Sequence, residues 1–189
     1  MPASSLLRAS RLASGLTQVD LAVRAETSQP EVSSVESGRR IPTVDTLERL
    51  LRQTGHRIVA VPDVGSDADE TAARIARVHD SPDDALRAFL DYSDTLARAD
   101  GTSRVLLSAL EPRPTGSRIW DAALAGLVDY WLSRSRLPRP TWIVKAGRTL
   151  DSTEAPGLSR YDLLPDPPDV PREFLRRNVL IARSTLESV

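Results

Sequence analysis

Cysteine is absent from this 189-residue chain, which has one methionine, two histidines (His56 and His79) and a single lysine, Lys145. Without cysteine there is no disulfide framework, no thiolate zinc site and no thiol nucleophile. The histidines have no nucleophile or metal-ligand spacing around them, and no glycine-rich loop has the pattern that cradles a phosphate. The acidic run 63–70 and the Asp83-Asp84 pair read as solvated linker and N-terminal helix charge. No catalytic residue, no cofactor and no metal are therefore expected. Aromatic residues, at 4% of the chain, are few for a roomy ligand pocket. No apolar run approaches the roughly 18 residues that a membrane span requires, and the opening MPASSLLRASRLASG sets arginines among its leucines. A cytoplasmic protein with no membrane partner is expected.

Apolar residues make up 40% of the chain, enough to bury a core, and the net charge of −1 hides an uneven distribution. Residues 1–61 carry +2, residues 62–100 carry −6 and residues 101–189 carry +3. An acidic middle thus divides two mildly basic ends.

Over residues 5–54 apolar side chains recur at helical spacing, and the breaks fall where short helices end. Leu7 and Leu12 suit a first helix that stops near Gly15. Thr17 followed by Asp20 forms a capping pattern for a second helix through Ala25, with Leu21 and Ala22 inward. Ser28 followed by Glu31 forms another, for a third helix through Ser37. Pro30 is tolerated in its first turn, Val32 and Val35 face inward, and Gly38 is the stop. Thr43 caps a fourth helix carrying Leu47, Leu50 and Leu51 and closed by Gly55. The β-branched run His56–Val61 reads as a short strand ended by Pro62. A lone strand needs a partner, which is either the same strand of a second copy or the helices of its own chain.

After a polar linker at 62–69, amphipathic helices are expected at 70–79 and 84–99, the second with Leu86, Phe89, Leu90 and Leu96 on one stripe. A further helix is expected at 104–110. Another at 119–133 has Trp120, Leu124, Leu127, Val128 and Trp131 as its apolar face. Seven prolines make 138–171 mainly irregular, before a last helix at 172–177 and a short apolar run at 179–182. The expected fold is mainly α: an N-terminal helix-turn-helix bundle with a short strand over residues 1–61, then a helical C-terminal domain over 70–189 with a proline-rich irregular segment.

The stretch from Gly15 to Leu51, GLTQVDLAVRAETSQPEVSSVESGRRIPTVDTLERLL, closely resembles the Cro/C1-type helix-turn-helix of repressors, also called the xenobiotic-response-element family. Leu-Thr-Gln opens helix two, Ala22 sits where two helices cross, Ser-Gln-Pro opens helix three and Glu-Ser-Gly closes it. Glu26 departs from the pattern, standing in the turn where the family usually has glycine. The resemblance implies a homodimer on double-stranded DNA, reading an inverted-repeat operator with its third helix in the major groove. Ser28, Gln29, Glu31, Ser33 and Ser34 are the outward candidates on that helix. Gln29 is foremost, because a glutamine amide pairs bidentately with adenine N6 and N7. Thr17 and Gln18, opening helix two, are placed for a phosphate, with Arg39 and Arg40 near the DNA backbone. Arg11 and Glu36 match the family's internal ion pair.

The second half resembles the tail of two-part antitoxins that repress their own operon and neutralise a nucleotidyltransferase-like toxin. The resemblance lies in Pro140-Thr-Trp-Ile-Val-Lys-Ala-Gly-Arg148 and in Val170-Pro-Arg-Glu-Phe-Leu-Arg-Arg-Asn178. It implies Trp142 and Phe174 as anchors for a cognate toxin protein, with Lys145, Arg148, Arg176 and Arg177 answering an acidic surface. The residues themselves leave another reading open, in which Trp120, Trp131, Trp142 and Phe174 are core. A stand-alone regulator with a ligand-sensing or oligomerisation tail is the alternative to an antitoxin.

Overall fold

The computed structural model describes residues 2–59, 63–78, 80–157 and 164–186. They form two compact units, residues 1–63 and 64–189. Each has its own apolar core. Both are helical, and among the described residues the only β-structure is an isolated parallel bridge between Glu154 and Val179.

The first unit holds α1 (Ala3–Ala13), α2 (Gln18–Arg24), α3 (Gln29–Glu36) and α4 (Val44–Gln53). Side-chain oxygens of Thr17, Ser28 and Thr43 accept from the backbone N–H three residues on, satisfying donors that the first turn leaves free. Gly15, Gly38 and Gly55 end α1, α3 and α4 with φ near +70°. That left-handed turn suits a residue without Cβ. Leu7, Leu21, Ala22, Val32, Val35, Leu50 and Leu51 meet in the core, with Ala25 beneath the turn between α2 and α3.

That turn carries the departure noted in the sequence. The N–H of Thr27 bonds the carbonyl of Ala22 at 2.9 Å and the N–H of Glu26 bonds that of Val23 at 3.3 Å. This pair of bonds is the Schellman closure. Glu26 occupies its left-handed position at φ 50°. The helix-turn-helix turn therefore keeps its geometry and carries the strain of a side chain there. The Nη1 of Arg49 on α4 also donates to the carbonyl of Ala25, tying the end of α2 down.

Within the single chain, the described part of the expected strand, residues 56–59, is not a strand. Residues 56–59 have no ladder partner; the N–H of His56 is used instead to close α4, on the carbonyl of Leu51 at 3.0 Å. Ile58 and Val59 are exposed. Residues 60–61 of that segment lie outside the described residues, as does His79.

The second unit contains α5 (Ala68–Val78), α6 (Pro82–Arg98), α7 (Gly101–Ala109), α8 (Arg118–Arg134), α9 (Arg172–Leu175) and α10 (Arg183–Leu186). The polar linker is shorter than its composition implied. Asp67 is buried, and its Oδ1 accepts from the N–H groups of Asp69 and Glu70 at 2.8 and 2.9 Å, so α5 starts inside the expected linker. Helix α8 is the centre of this unit rather than a helix with one apolar face, since its residues from Ala122 to Tyr130 are all buried. Ala122, Ala123, Ala125 and Gly126 let neighbours approach closely. A Cβ on Gly126 would lie 2.7 Å from the ring of Phe174. Phe174 in turn meets Phe89 edge-on at 6.5 Å between centroids, and Trp120 packs against Phe89 at 5.7 Å with the ring planes tilted by 48°. Among its described residues the proline-rich stretch is irregular apart from the Glu154 bridge and single 3₁₀ turns at Thr141–Val144 and Pro167–Asp169.

Candidate nucleic-acid interface

Helices α2 and α3 bring Thr17, Gln18, Ser28 and Gln29 into one neighbourhood on the first unit. Gln29 is exposed at the start of α3, and its Nε2 donates to Oε1 of Gln18 at 2.8 Å. Gln18 donates through its own Nε2 to Oε2 of Glu36, also at 2.8 Å. Glu36 is buried and held by two guanidinium bonds from Arg11, Nε to Oε1 at 2.7 Å and Nη2 to Oε2 at 2.8 Å. The remaining Nη1 of Arg11 donates to the carbonyl of Leu16 at 2.8 Å. The expected internal pair thus exists as a bidentate bridge that also locks the α1–α2 connection.

This chain of bonds has a direction. A carboxylate paired with a guanidinium only accepts, so Gln18 must turn its N–H₂ toward Glu36 and its oxygen toward Gln29. Gln29 then spends one N–H on Gln18, leaving its Oε1 and its second N–H for a ligand. One acceptor beside one donor is complementary to the adenine N6–H and N7 edge, whereas guanine offers two acceptors, O6 and N7.

The other candidates are placed less freely. Glu31 accepts from the Thr27 hydroxyl and from Nη1 of Arg40. These two hydrogen bonds, Thr27 first, hold its carboxyl below the usual glutamate range. Glu31 therefore does not complete a capping box with Ser28, and Arg40 is paired across the face instead of reaching outward. Thr17 accepts from the N–H of Asp20 at 3.1 Å, while the Asp20 carboxylate takes both the hydroxyl and the N–H of Thr17, at 2.7 and 2.9 Å. The Thr17 hydroxyl bond, with its backbone bond next, lowers the Asp20 pKa. A negative charge thus stands at the start of α2, where the resemblance expects a phosphate. Ser33 and Ser34 are half-buried, and Arg39 is exposed with its Nε on Oγ of Ser37 at 3.0 Å. The bonds from Gln18 to Glu36 and from Arg49 to Ala25 carry no sequence signal, because each joins residues on different helices.

In the second unit, four of the six residues proposed to meet a partner are interior. Phe174 is fully buried, and Trp142 is 3% exposed with its indole N–H on the carbonyl of Ser108 at 2.9 Å. Arg148 lies over the Trp142 ring at 5.1 Å and donates to the carbonyl of Pro112 at 3.0 Å. Arg177 donates to Asp129 Oδ2 at 2.9 Å and to the carbonyls of Glu173 and Ile143 at 2.6 and 3.1 Å. The two aromatics are core, and a surface anchor role for them is corrected accordingly. Lys145 is on the surface, bonded to Glu111 at 2.7 Å, and Arg176 is exposed. His56 bonds Thr54 through Nδ1. Among the described residues no three His, Cys, Asp or Glu side chains gather as a metal site.

Residues 4–55 match the family model of the helix-turn-helix domain. No curated protein and no solved structure matches the chain. The N-terminal unit is thus matched as a helix-turn-helix domain, which supports a DNA-binding regulator. The match ends before the second unit begins. No described helix is long and apolar enough to cross a membrane.

Proposed function

We propose that this protein is a sequence-specific transcriptional repressor of the Cro/C1 type that acts in the cytoplasm as a homodimer on an inverted-repeat operator. The observation that carries this reading is the chain of bonds from Arg11 through Glu36 and Gln18 to Gln29. It holds one exposed amide in a fixed orientation at the N-terminal end of α3, where a helix lying in the major groove meets base edges. Gln29 reads a base, Ser28, Ser33 and Ser34 line the same helix, and Gln18, Thr17 and Arg39 position the backbone. Arg40 joins them when it leaves Glu31 for a phosphate, which frees Glu31 to accept from a cytosine N4. Two recognition helices about 34 Å apart fit successive major grooves. Residues 1–61 form the DNA-binding domain and residues 70–189 an arm that receives a partner and is not an enzyme.

Within this reading the protein is an autoregulating antitoxin whose arm neutralises a toxin made by the adjacent gene. The arginine-lined grooves of the second unit favour a protein partner over a stand-alone sensor, although the unit as a whole carries slightly more acidic than basic residues. A single titration tests both levels. The purified protein is bound to its own upstream DNA and to a scrambled duplex at two salt concentrations, with and without the product of the adjacent gene. Specific, salt-sensitive binding that the neighbour's product shifts is the expected result. Equal affinity for both duplexes overturns the operator reading, and specific binding indifferent to the neighbour overturns the antitoxin reading.

A further inference from the structure

A groove of about 550 Å³ opens in the second unit beside the C-terminal half of α8, between residues 139–144 and the end of α9. Asp129 and Arg177 are buried and line it. The Asp129 carboxylate accepts from Arg177 Nη1 at 2.9 Å, Arg139 Nη1 at 3.2 Å and Ser133 Oγ at 3.1 Å. One negative charge thus answers two guanidiniums. Arg176, on the rim, adds a third and makes no ion pair among the described residues. The Nε of Arg177 is buried with no hydrogen-bond partner among the described residues. A second groove of about 490 Å³ lies next along α8 and α9, where Arg172 and Arg183 face Glu173, already bonded to Arg172 at 2.8 Å. Both grooves therefore have more positive charge than their own carboxylates balance.

The walls decide between anionic ligands. A nucleic-acid backbone is held by arginine and lysine together with many hydroxyl, amide and backbone N–H donors on an open polar face. These grooves instead have Pro140, Pro168, Pro171 and Leu175 beside the arginines, with Val144 79% exposed on the rim. Guanidinium forks set in an apolar wall suit a carboxylate presented on a partly apolar polypeptide.

We infer that the groove at Arg139, Arg176 and Arg177 is the docking site for an acidic, partly apolar segment of a partner protein. One carboxylate of that segment is received between Arg139 and Arg176, over the Arg177–Asp129 pair. The inference rests on the reading of the second unit as a partner-binding arm and names the chemistry of what it binds.

The test uses the full-length protein and a fluorescent, end-capped decapeptide of alternating glutamate and leucine, with the lysine–leucine decapeptide as its counterpart. Saturable binding of the acidic peptide alone, weakening as salt rises, is expected. The R139A/R176A double variant should lose at least tenfold in affinity. The R98A/R118A variant, which removes two exposed arginines outside the groove, should change it less than twofold. Arg176→Glu, at an exposed side chain with no hydrogen bond or ion pair among the described residues, should reproduce the loss with an unchanged unfolding curve. No saturable binding, equal losses in the two double variants, or displacement of the peptide by millimolar inorganic phosphate or by a random duplex would overturn the inference. If the peptide fails while the adjacent gene's product still shifts operator binding, the groove assignment falls and the partner reading survives. If the peptide binds through these arginines and the neighbour has no effect, the groove stands and the antitoxin reading falls.

Discussion

A glutamine amide looks nearly the same either way round, and what fixes its sense at Gln29 is a carboxylate it never touches. Glu36 orders Gln18, and Gln18 orders Gln29. The expected outcome is that Gln29→Ala loses about 1–3 kcal/mol of discrimination at a single base pair. Gln18→Ala should keep the affinity for adenine within a few-fold but admit guanine at that position, since the Gln29 amide is then free to turn. Arg39→Ala should weaken all sequences alike. Binding to operators substituted one position at a time separates the three, and identical profiles for Gln29→Ala and Arg39→Ala would contradict the assignment. At Gly126 the determining contact is steric. A methyl there would meet the Phe174 ring at 2.7 Å, so Gly126→Ala should cost about 1–3 kcal/mol, seen as a lower denaturant midpoint for the second unit alone.

At the scale of the element, the turn between α2 and α3 stands out for its residue and not its shape. A left-handed position filled by Glu26 costs more than one filled by glycine. Glu26→Gly should therefore stabilise the first unit by up to about 1 kcal/mol, measured by thermal unfolding, with operator affinity unchanged. At the start of α5, burial first, and then the nearby charge of Glu70, raise the Asp67 pKa despite the backbone bonds that favour its charge. A carboxyl raised in the folded state stabilises the fold most below its ordinary value, near 4, and that contribution is lost as pH climbs through the raised value. Stability of the second unit should fall across that window in the wild type. Asp67→Asn, which keeps the accepting oxygen, should flatten the fall, and parallel pH profiles would refute this.

These elements also show what was legible beforehand. The caps Thr17, Ser28 and Thr43 and the stops Gly15, Gly38 and Gly55 each work through bonds spanning a few residues, so spacing alone placed the first four helices. The segment at His56 has no ladder within one chain, because β-branching reports a preference and says nothing about a partner. Helix α8 was taken as one-faced because Ala122, Ala123, Ala125 and Gly126 look neutral in a pattern. Their burial depends on neighbours such as Phe174, distant along the chain. For the same reason the candidates on α3 were nameable from sequence, whereas the pairing of Glu31 with Arg40 and the burial of Arg148 and Arg177 were not.

For the whole molecule, two units with separate cores predict two unfolding transitions. Calorimetry should resolve them, and residues 1–63 alone should fold with helical circular dichroism and retain weak, salt-sensitive DNA binding. A single transition lost on truncation would show that the units depend on each other. The carboxylate of Asp20 stands at the start of α2, beside the side chains proposed to touch DNA. On that reading it repels every duplex to the same extent, whatever its sequence, and so reduces the time lost on the genome's vast excess of wrong sites. Asp20 thereby acts on the search as well as on the bound state: a protein held loosely by random DNA leaves it quickly and samples more of it before reaching its operator.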